Sequence, residues 1–350
     1  MDFWRKILIL AIIFLFSYIL WRLLLKRKEI LLEQSRQTIE NFTPASNAVS
    51  ISSINVNSLT ATNGITDPMT AKQLKQFVIK ASYHTCYTGS DLSASMVTYA
   101  LNRGYRWLDF CIADGINVCY SKDDITADSI TTIQFGDVAS KIAMHGFISP
   151  DSPNSKDPLF IQIRFLNTDI SNTTILNNII KGFSDKNIPV YTGIIDKNTT
   201  IDQLLGKVVF VINKTQISKD DQNDYTIDSI LHNNDNTFMT SLPISKAGNL
   251  KAPIPLTLAD NFTTTPPDKI YQFFPTGATG NSDVYSTIQS IGAQITPMCI
   301  WANDTHLANY ETIFNSSNAG IVPLSAVLKY TKTNNPNVIS SSYPGAFSGK

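Results

Sequence analysis

The sequence predicts an α/β fold, an irregular TIM (β/α) barrel preceded by a single N-terminal transmembrane helix. Three observations carry this. Apolar strand-like runs alternate with helical patterns, which argues for a parallel sheet buried on both faces. The alternating region is about 260 residues long, the size of one such barrel. The chain also opens on an apolar, charge-free run too long for an ordinary core helix. A doubly wound open sheet is the alternative architecture, but no GxGxxG or GxxxxGK[ST] follows any strand.

In the opening "MDFWRKILILAIIFLFSYILWRLLLKRKEILLEQ", residues 7–21 hold no charge and residues 23–25 extend the run past Arg22. At about 1.5 Å per residue, 7–25 covers roughly 28 Å, close to a hydrocarbon core of about 30 Å. Arg5, Lys6 and Arg22 suit headgroups, and Trp4, Tyr18 and Trp21 suit the interface. The other reading, a cleaved signal peptide, needs small residues at a cleavage site, and "SYILWRLLLKRKE" offers bulky and charged ones. Arg22, Lys26, Arg27 and Lys28 outnumber the cations before the run, which places the main domain on the cytoplasmic side of a single-pass membrane protein. Seven Asn-x-Ser/Thr sequons point the other way, but 29 Asn residues make chance sequons abundant.

Residues 1–28 therefore read as anchor and basic flank, 29–70 as stalk and linker, 71–331 as the barrel domain and 332–350 as a flexible tail. Within the barrel, strand-like "QFVIKAS" is followed by helical "SASMVTYALNRG", with Gly104 closing the helix. Then come "YRWLDFCIA", "INVCYS", a helical "FGDVASKIAMHG", "PLFIQIRFL", a helical "TTILNNIIKGF" and "LGKVVFVINK". The series closes with "DVYSTIQSIGA", "QITPMCIWA", "HLANYETIFNSSN" and "AGIVPLSAVL".

Net charge is zero, so no basic field argues for nucleic acid. The four cysteines, Cys86, Cys111, Cys119 and Cys299, show no CxxC and no metal-type spacing. Cys111 and Cys119 could meet across neighbouring strands; the plainer reading is buried free thiols packed as small apolar residues.

Barrel chemistry sits at the C-terminal ends of strands. Those ends carry His84, Asp109 to Asp114, Tyr120 and Arg164. His84 could act as base, Asp109 as its orienting carboxylate and Arg164 as charge stabiliser, with Tyr120 the nearest candidate acid. The set lacks a second histidine: His145 falls at a helix end, and His232 and His306 fall in loops. It also lacks the carboxylate cluster that calcium or magnesium requires, so no metal is expected. A His84 ring within hydrogen-bond reach of Asp109 or Arg164 would suit an enzyme. A ring turned into a loop or to water would suit a silent one.

"SYHTCYTG" (82–89), "YALNRGYRWLDFCIADG" (99–115), "DPLFIQIRF" (157–165) and "LLGKVVFVINK" (204–214), in that order, resemble the phosphatidylinositol-specific phospholipase C X domain of the PLC-like phosphodiesterases. The resemblance covers roughly residues 75–215 and implies an irregular TIM barrel that cleaves phosphodiesters with two histidines. Carried over without gaps, the first histidine falls on Tyr83 and its Asn neighbour on His84. The second histidine falls on Tyr120, one ligand position on Cys111, the metal-binding Glu on Arg164 and a phosphate-binding Lys on Val211. Asp109 matches the acidic strand end. Scaffold positions such as Ser82, Thr85, Gly104, Arg106, Gly115, Gly206 and Lys207 remain.

Tyrosine, titrating near 10, is a poor base at neutral pH, and Cys111 with Arg164 cannot hold calcium through oxygen. The family's calcium site is expected to be lost, with no other cofactor. The expected function is thus a membrane-anchored, catalytically degenerate barrel (a pseudoenzyme) that binds a partner or builds a membrane, with a phospholipid headgroup as candidate ligand. The alternative is an active, metal-independent phosphoric diester hydrolase acting on lipid or glycerol phosphodiesters, in which Arg164 replaces the metal. An Asn/Ile-rich barrel on an anchor is also similar to membrane proteins of large DNA viruses, which makes a viral membrane one expected location.

Overall fold

The structure is a computed structural model. It describes Arg22 and residues 69–113, 115–122, 127–128, 131–148, 154–166, 171–213, 216, 230–232, 238–244, 269–275, 280–302 and 304–334. Apart from Arg22, the expected anchor lies outside these residues, as do the stalk through residue 68 and the tail beyond residue 334. Among the described residues no helix is long and apolar enough to cross a membrane.

The architecture is mixed α/β around a central sheet. Its strands are β1 (Phe77–Ile79), β2 (Trp107–Ala113), β3 (Asn117–Cys119), β4 (Ile133–Gln134), β5 (Leu159–Phe165), β6 (Val208–Ile212), β7 (Leu231–His232), β8 (Met239–Pro243), β9 (Ile270–Phe274) and β10 (Ile321–Pro323). The helices are α1 (Ser95–Asn102), α2 (Phe135–Ile142), α3 (Asn172–Ser184), α4 (Ile201–Leu204), α5 (Val284–Ile291), α6 (Thr305–Ser317) and α7 (Leu324–Asn334).

β2, β5, β6 and β7 are parallel neighbours in that order, and β8 pairs parallel with β9. Parallel bridges carry the path onward: Gln272 meets Ile295, Ile79 meets Ile295, Ser82 meets Met298 and Ala81 meets Trp107. From β2 to β7, and from β8 through residues 295–298 and β1 back to β2, each member lies beside the next, a sequential order like that of TIM-like barrels. Among the described residues no ladder joins β7 to β8. β3 and β4 form an antiparallel extension on the C-terminal half of β2.

Alternation along the strands builds two layers. Phe77, Ile79, Trp107, Phe160, Val209, Val211, Leu231, Met239, Ile270 and Ile295 face inward as one apolar cluster. Outward residues meet the helices through an aromatic chain: Phe110 on β2, Phe135 on α2, Phe183 on α3 and Phe210 on β6, with successive ring centroids 5.6, 6.1 and 5.8 Å apart. This is why β2, β5 and β6 read as largely apolar runs, broken only by Asp109 on β2 and by Gln162 and Arg164 on β5; all seven residues of β2 and of β5 are buried.

A buried ion cluster fastens α6 to the first barrel segment. Glu311 pairs with Lys80, accepts from Arg103 Nε at 3.2 Å and from Tyr105 hydroxyl at 2.7 Å. Burial pushes the Glu311 carboxyl up, but Lys80 and Arg103 outweigh it and hold the group below the usual carboxylate range. Beside it Gly320 lies so close to the α1 turn that an added Cβ would stand 2.1 Å from the Gly104 carbonyl oxygen. Only glycine fits there.

Several expectations need correction. His232 lies in β7 and His306 in the first turn of α6, not in loops: the ladder to β6 takes His232 as the partner of Ile212, and Asp304 caps the helix that starts just before His306. "AGIVPLSAVL" supplies both a strand and the start of a helix, and the strand is not parallel. Residues 321–323 pair antiparallel with β1, and the chain turns directly into α7, which runs to Asn334, beyond the expected domain end. β7, β8 and β9 occupy a stretch in which the sequence pattern showed no element.

Candidate functional site: the barrel mouth

The mouth is organised by the turn after β1. Thr85 N–H donates to the Asp109 carbonyl at 2.8 Å, and Asp109 N–H donates to the Thr85 hydroxyl at 2.9 Å. Ser82 and Thr85 hydroxyls share a 2.6 Å hydrogen bond. Between them His84 adopts φ +44°, a left-handed conformation that histidine enters more readily than most residues. Its backbone N–H donates to Asp109 Oδ2 at 2.9 Å.

Asp109 points inward from β2, and Arg164 points inward from β5 two residues beyond Gln162, Asp109's register partner. Their pairing is bidentate: Arg164 Nε donates to Oδ1 at 2.9 Å and Nη2 to Oδ2 at 2.7 Å. Arg164 Nη1 donates to the Tyr83 hydroxyl at 3.3 Å, and the guanidinium lies 4.6 Å over the Tyr83 ring. Nη2 also lies 3.2 Å from His84 Nδ1 and 3.1 Å from Nε2. The His84 ring therefore reaches Arg164, the placement expected of an enzyme.

Its electrostatics point elsewhere. Burial, and then the Arg164 cation, hold the imidazole well below its ordinary value; a hydrogen bond to the Ser121 backbone opposes them and loses. The ring is neutral and lies against a cation. A base so placed has little affinity for a substrate proton.

This has a stability consequence. An unfolded His84 titrates near 6.5, whereas the folded one stays neutral well below that. Between the two values the unfolded chain binds the extra proton, so stability is full above about pH 6.5 and falls below it by about 1.4 kcal/mol per pH unit. His145, lowered by burial and Lys141, adds a slope of the same sign. Denaturant melts at several pH values should show wild type losing stability below about pH 6.5 more steeply than His84→Asn, by about 1.4 kcal/mol per unit. Equal slopes would refute the neutral buried ring.

Aromatic rings close the mouth. The His84 ring lies 4.4 Å from Tyr83 and 4.7 Å from Tyr120. Tyr87 stacks on Tyr120 at 3.8 Å, and Trp301 meets Tyr87 edge-on at 5.0 Å. His84 is 4% exposed, Arg164 9% and Asp109 0%, so the polar centre is under cover. Burial, then Tyr87, push the Tyr120 hydroxyl up, away from the range of a useful general acid.

The structure thus gathers His84, Asp109, Arg164, Tyr83 and Tyr120 into one site. Cys111, the β2 register partner of Arg164, belongs instead to a small apolar cluster with Ala113, Cys119 and Leu166. Val211 lies deeper, in the apolar barrel interior, with no place in a phosphate site. Sequence reasoning missed Tyr87 and Trp301. Trp301 follows the eighth parallel segment, and the rule that barrel sites gather at strand ends would have found it. Among the described residues no group of three or more His, Cys, Asp or Glu side chains is placed to hold a metal ion.

No family model matches the sequence, and no curated protein matches it. Solved structures do match. The crystal structure of L. pealei PLC21 is 13% identical with a TM-score of 0.51, covering 73% of this chain and 37% of that one. S. officinalis PLC21 is 14% identical with a TM-score of 0.50 and the same coverage. The F249X mutant of the phosphatidylinositol-specific phospholipase C from Staphylococcus aureus is 13% identical with a TM-score of 0.43, covering 69% of this chain and 94% of that one. The chain spans little more than a third of either PLC21. The mixed α/β architecture around a central parallel sheet, with its polar mouth at the strand ends, shares its fold with the PLC21 structures.

Proposed function

We propose that the chain is a membrane-anchored PLC-like barrel without diesterase chemistry, serving as a binding or structural component of a membrane. The observation that carries this is the commitment of Arg164. Its guanidinium is paired bidentately with Asp109 and laid over Tyr83, beneath aromatic cover, so the cation that would steady a phosphate is already neutralised. Tyrosines stand at both positions that the family resemblance assigns to histidine, and burial raises the Tyr120 hydroxyl. Residues 7–25 would supply the anchor, with the barrel on the cytoplasmic side.

The second reading, an active metal-independent diesterase, draws on one observation: the His84 ring lies within 3.1 Å of Arg164. Turnover separates the two. The full chain in detergent micelles is offered phosphatidylinositol and glycerophosphodiesters, with and without calcium. No release of phosphorylated headgroup is expected, whereas release abolished by His84→Ala would establish the second reading.

A further inference from the structure

We propose that Cys111 and Cys119 form a disulfide when the barrel meets a disulfide oxidant, which makes the β2–β3 hairpin a redox-sensitive clasp at the mouth. The two residues are direct cross-strand partners in the antiparallel ladder. Directly opposed residues have Cα atoms about 4.5 or 5.5 Å apart, both inside the span a disulfide bridges. Their side chains share one face, packing together with Ala113 and Leu166, and Cys119 Sγ lies 3.6 Å from the Cys111 carbonyl oxygen. Cys86 and Cys299 are also buried free thiols, on other segments of the barrel.

The clasp would join functional elements. β2 carries Asp109, β3 leads directly into Tyr120, and Cys111 is the register partner of Arg164. Formation proceeds by exchange. One cysteine thiolate attacks a sulfur of the oxidant, forming a mixed disulfide and expelling one small thiol; the second thiolate attacks the protein sulfur of that intermediate and expels the other. One S–S bond forms and one breaks, and the two protons and two electrons end on the departing thiols. Both cysteines are buried, 0% and 1% exposed, so exchange waits on opening of the hairpin. The oxidised form would accumulate only in an oxidising compartment.

The test uses the full chain, purified reduced and then treated with oxidised glutathione, both folded and during refolding from denaturant. Remaining thiols are alkylated and the protein is mapped without reduction. Both cysteines share the tryptic peptide 107–122, and further cleavage before Asp114 separates them, so a linkage shows as two fragments held together. The expected result is that linkage, with Cys86 and Cys299 alkylated and the melting temperature raised in wild type but not in Cys119→Ser. Linkage on refolding alone also supports the proposal. Alkylation of Cys111 and Cys119 after both treatments, or pairing of either with Cys86 or Cys299, would overturn it.

Discussion

Glu311→Ala is expected to destabilise the barrel by about 3–5 kcal/mol, the cost of breaking a buried ion pair from one side. Glu311 is 4% exposed and is shared by three donors: Lys80, Arg103 and Tyr105. Lys80 is itself 1% exposed and approaches other groups, the Arg103 carbonyl at 2.8 Å and the Tyr105 ring at 4.8 Å, none of which carries a negative charge. Removing the carboxylate leaves an ammonium in a dry site, and alanine adds a cavity. Glu311→Gln should cost less, since it keeps the shape and part of the hydrogen bonding. Lys80→Met with Glu311→Leu should cost least, because Arg103, whose side chain is 11% exposed, keeps contact with water. Urea unfolding of the four proteins checks the order. A Glu311→Ala midpoint equal to wild type would show that the cluster does not hold α6 to the barrel.

The second large effect is at the mouth. Asp109→Ala is expected to cost about 3–5 kcal/mol as well. The carboxylate accepts from Arg164 Nε, from Arg164 Nη2 and from the His84 backbone N–H. Its loss takes the bidentate carboxylate from Arg164 and removes the acceptor that fixes the left-handed turn. The cation–π contact with Tyr83, at about 0.5–2 kcal/mol, is too small to compensate. Replacing both partners, Asp109→Leu with Arg164→Met, should recover most of the stability, since the pair then leaves nothing buried and charged. Denaturant unfolding would contradict this if the double variant were as unstable as the single one.

How much of this was legible depended on how each element earns its burial. β2 and β5 stand in the middle of the sheet with every residue covered, and "WLDFCIA" and "LFIQIRF" say so by their apolar residues on both faces. β7 has only two residues, and β8, "MTSLP", mixes hydroxyls with a proline, so neither reaches the length or pattern that marks a strand. β9, "IYQFF", follows a proline pair that reads as loop. At the site, residue types at strand ends sufficed to bring His84, Asp109, Tyr120 and Arg164 together. The strand-end rule could have placed Trp301 at the mouth, but its contact with Tyr87 did not show, because that contact joins the first and last parallel segments. The neutral state of His84 was equally hidden, since it follows from burial beside Arg164.

The most direct measurement of the central claim takes wild type, His84→Ala and Arg164→Ala as full chains from one detergent preparation. Phosphodiester turnover and urea stability are read on the same samples. The account predicts no turnover in any of the three and lower stability for Arg164→Ala, whose loss strands the Asp109 carboxylate. Turnover by wild type that disappears in either variant would contradict it, and would make the mouth an active site.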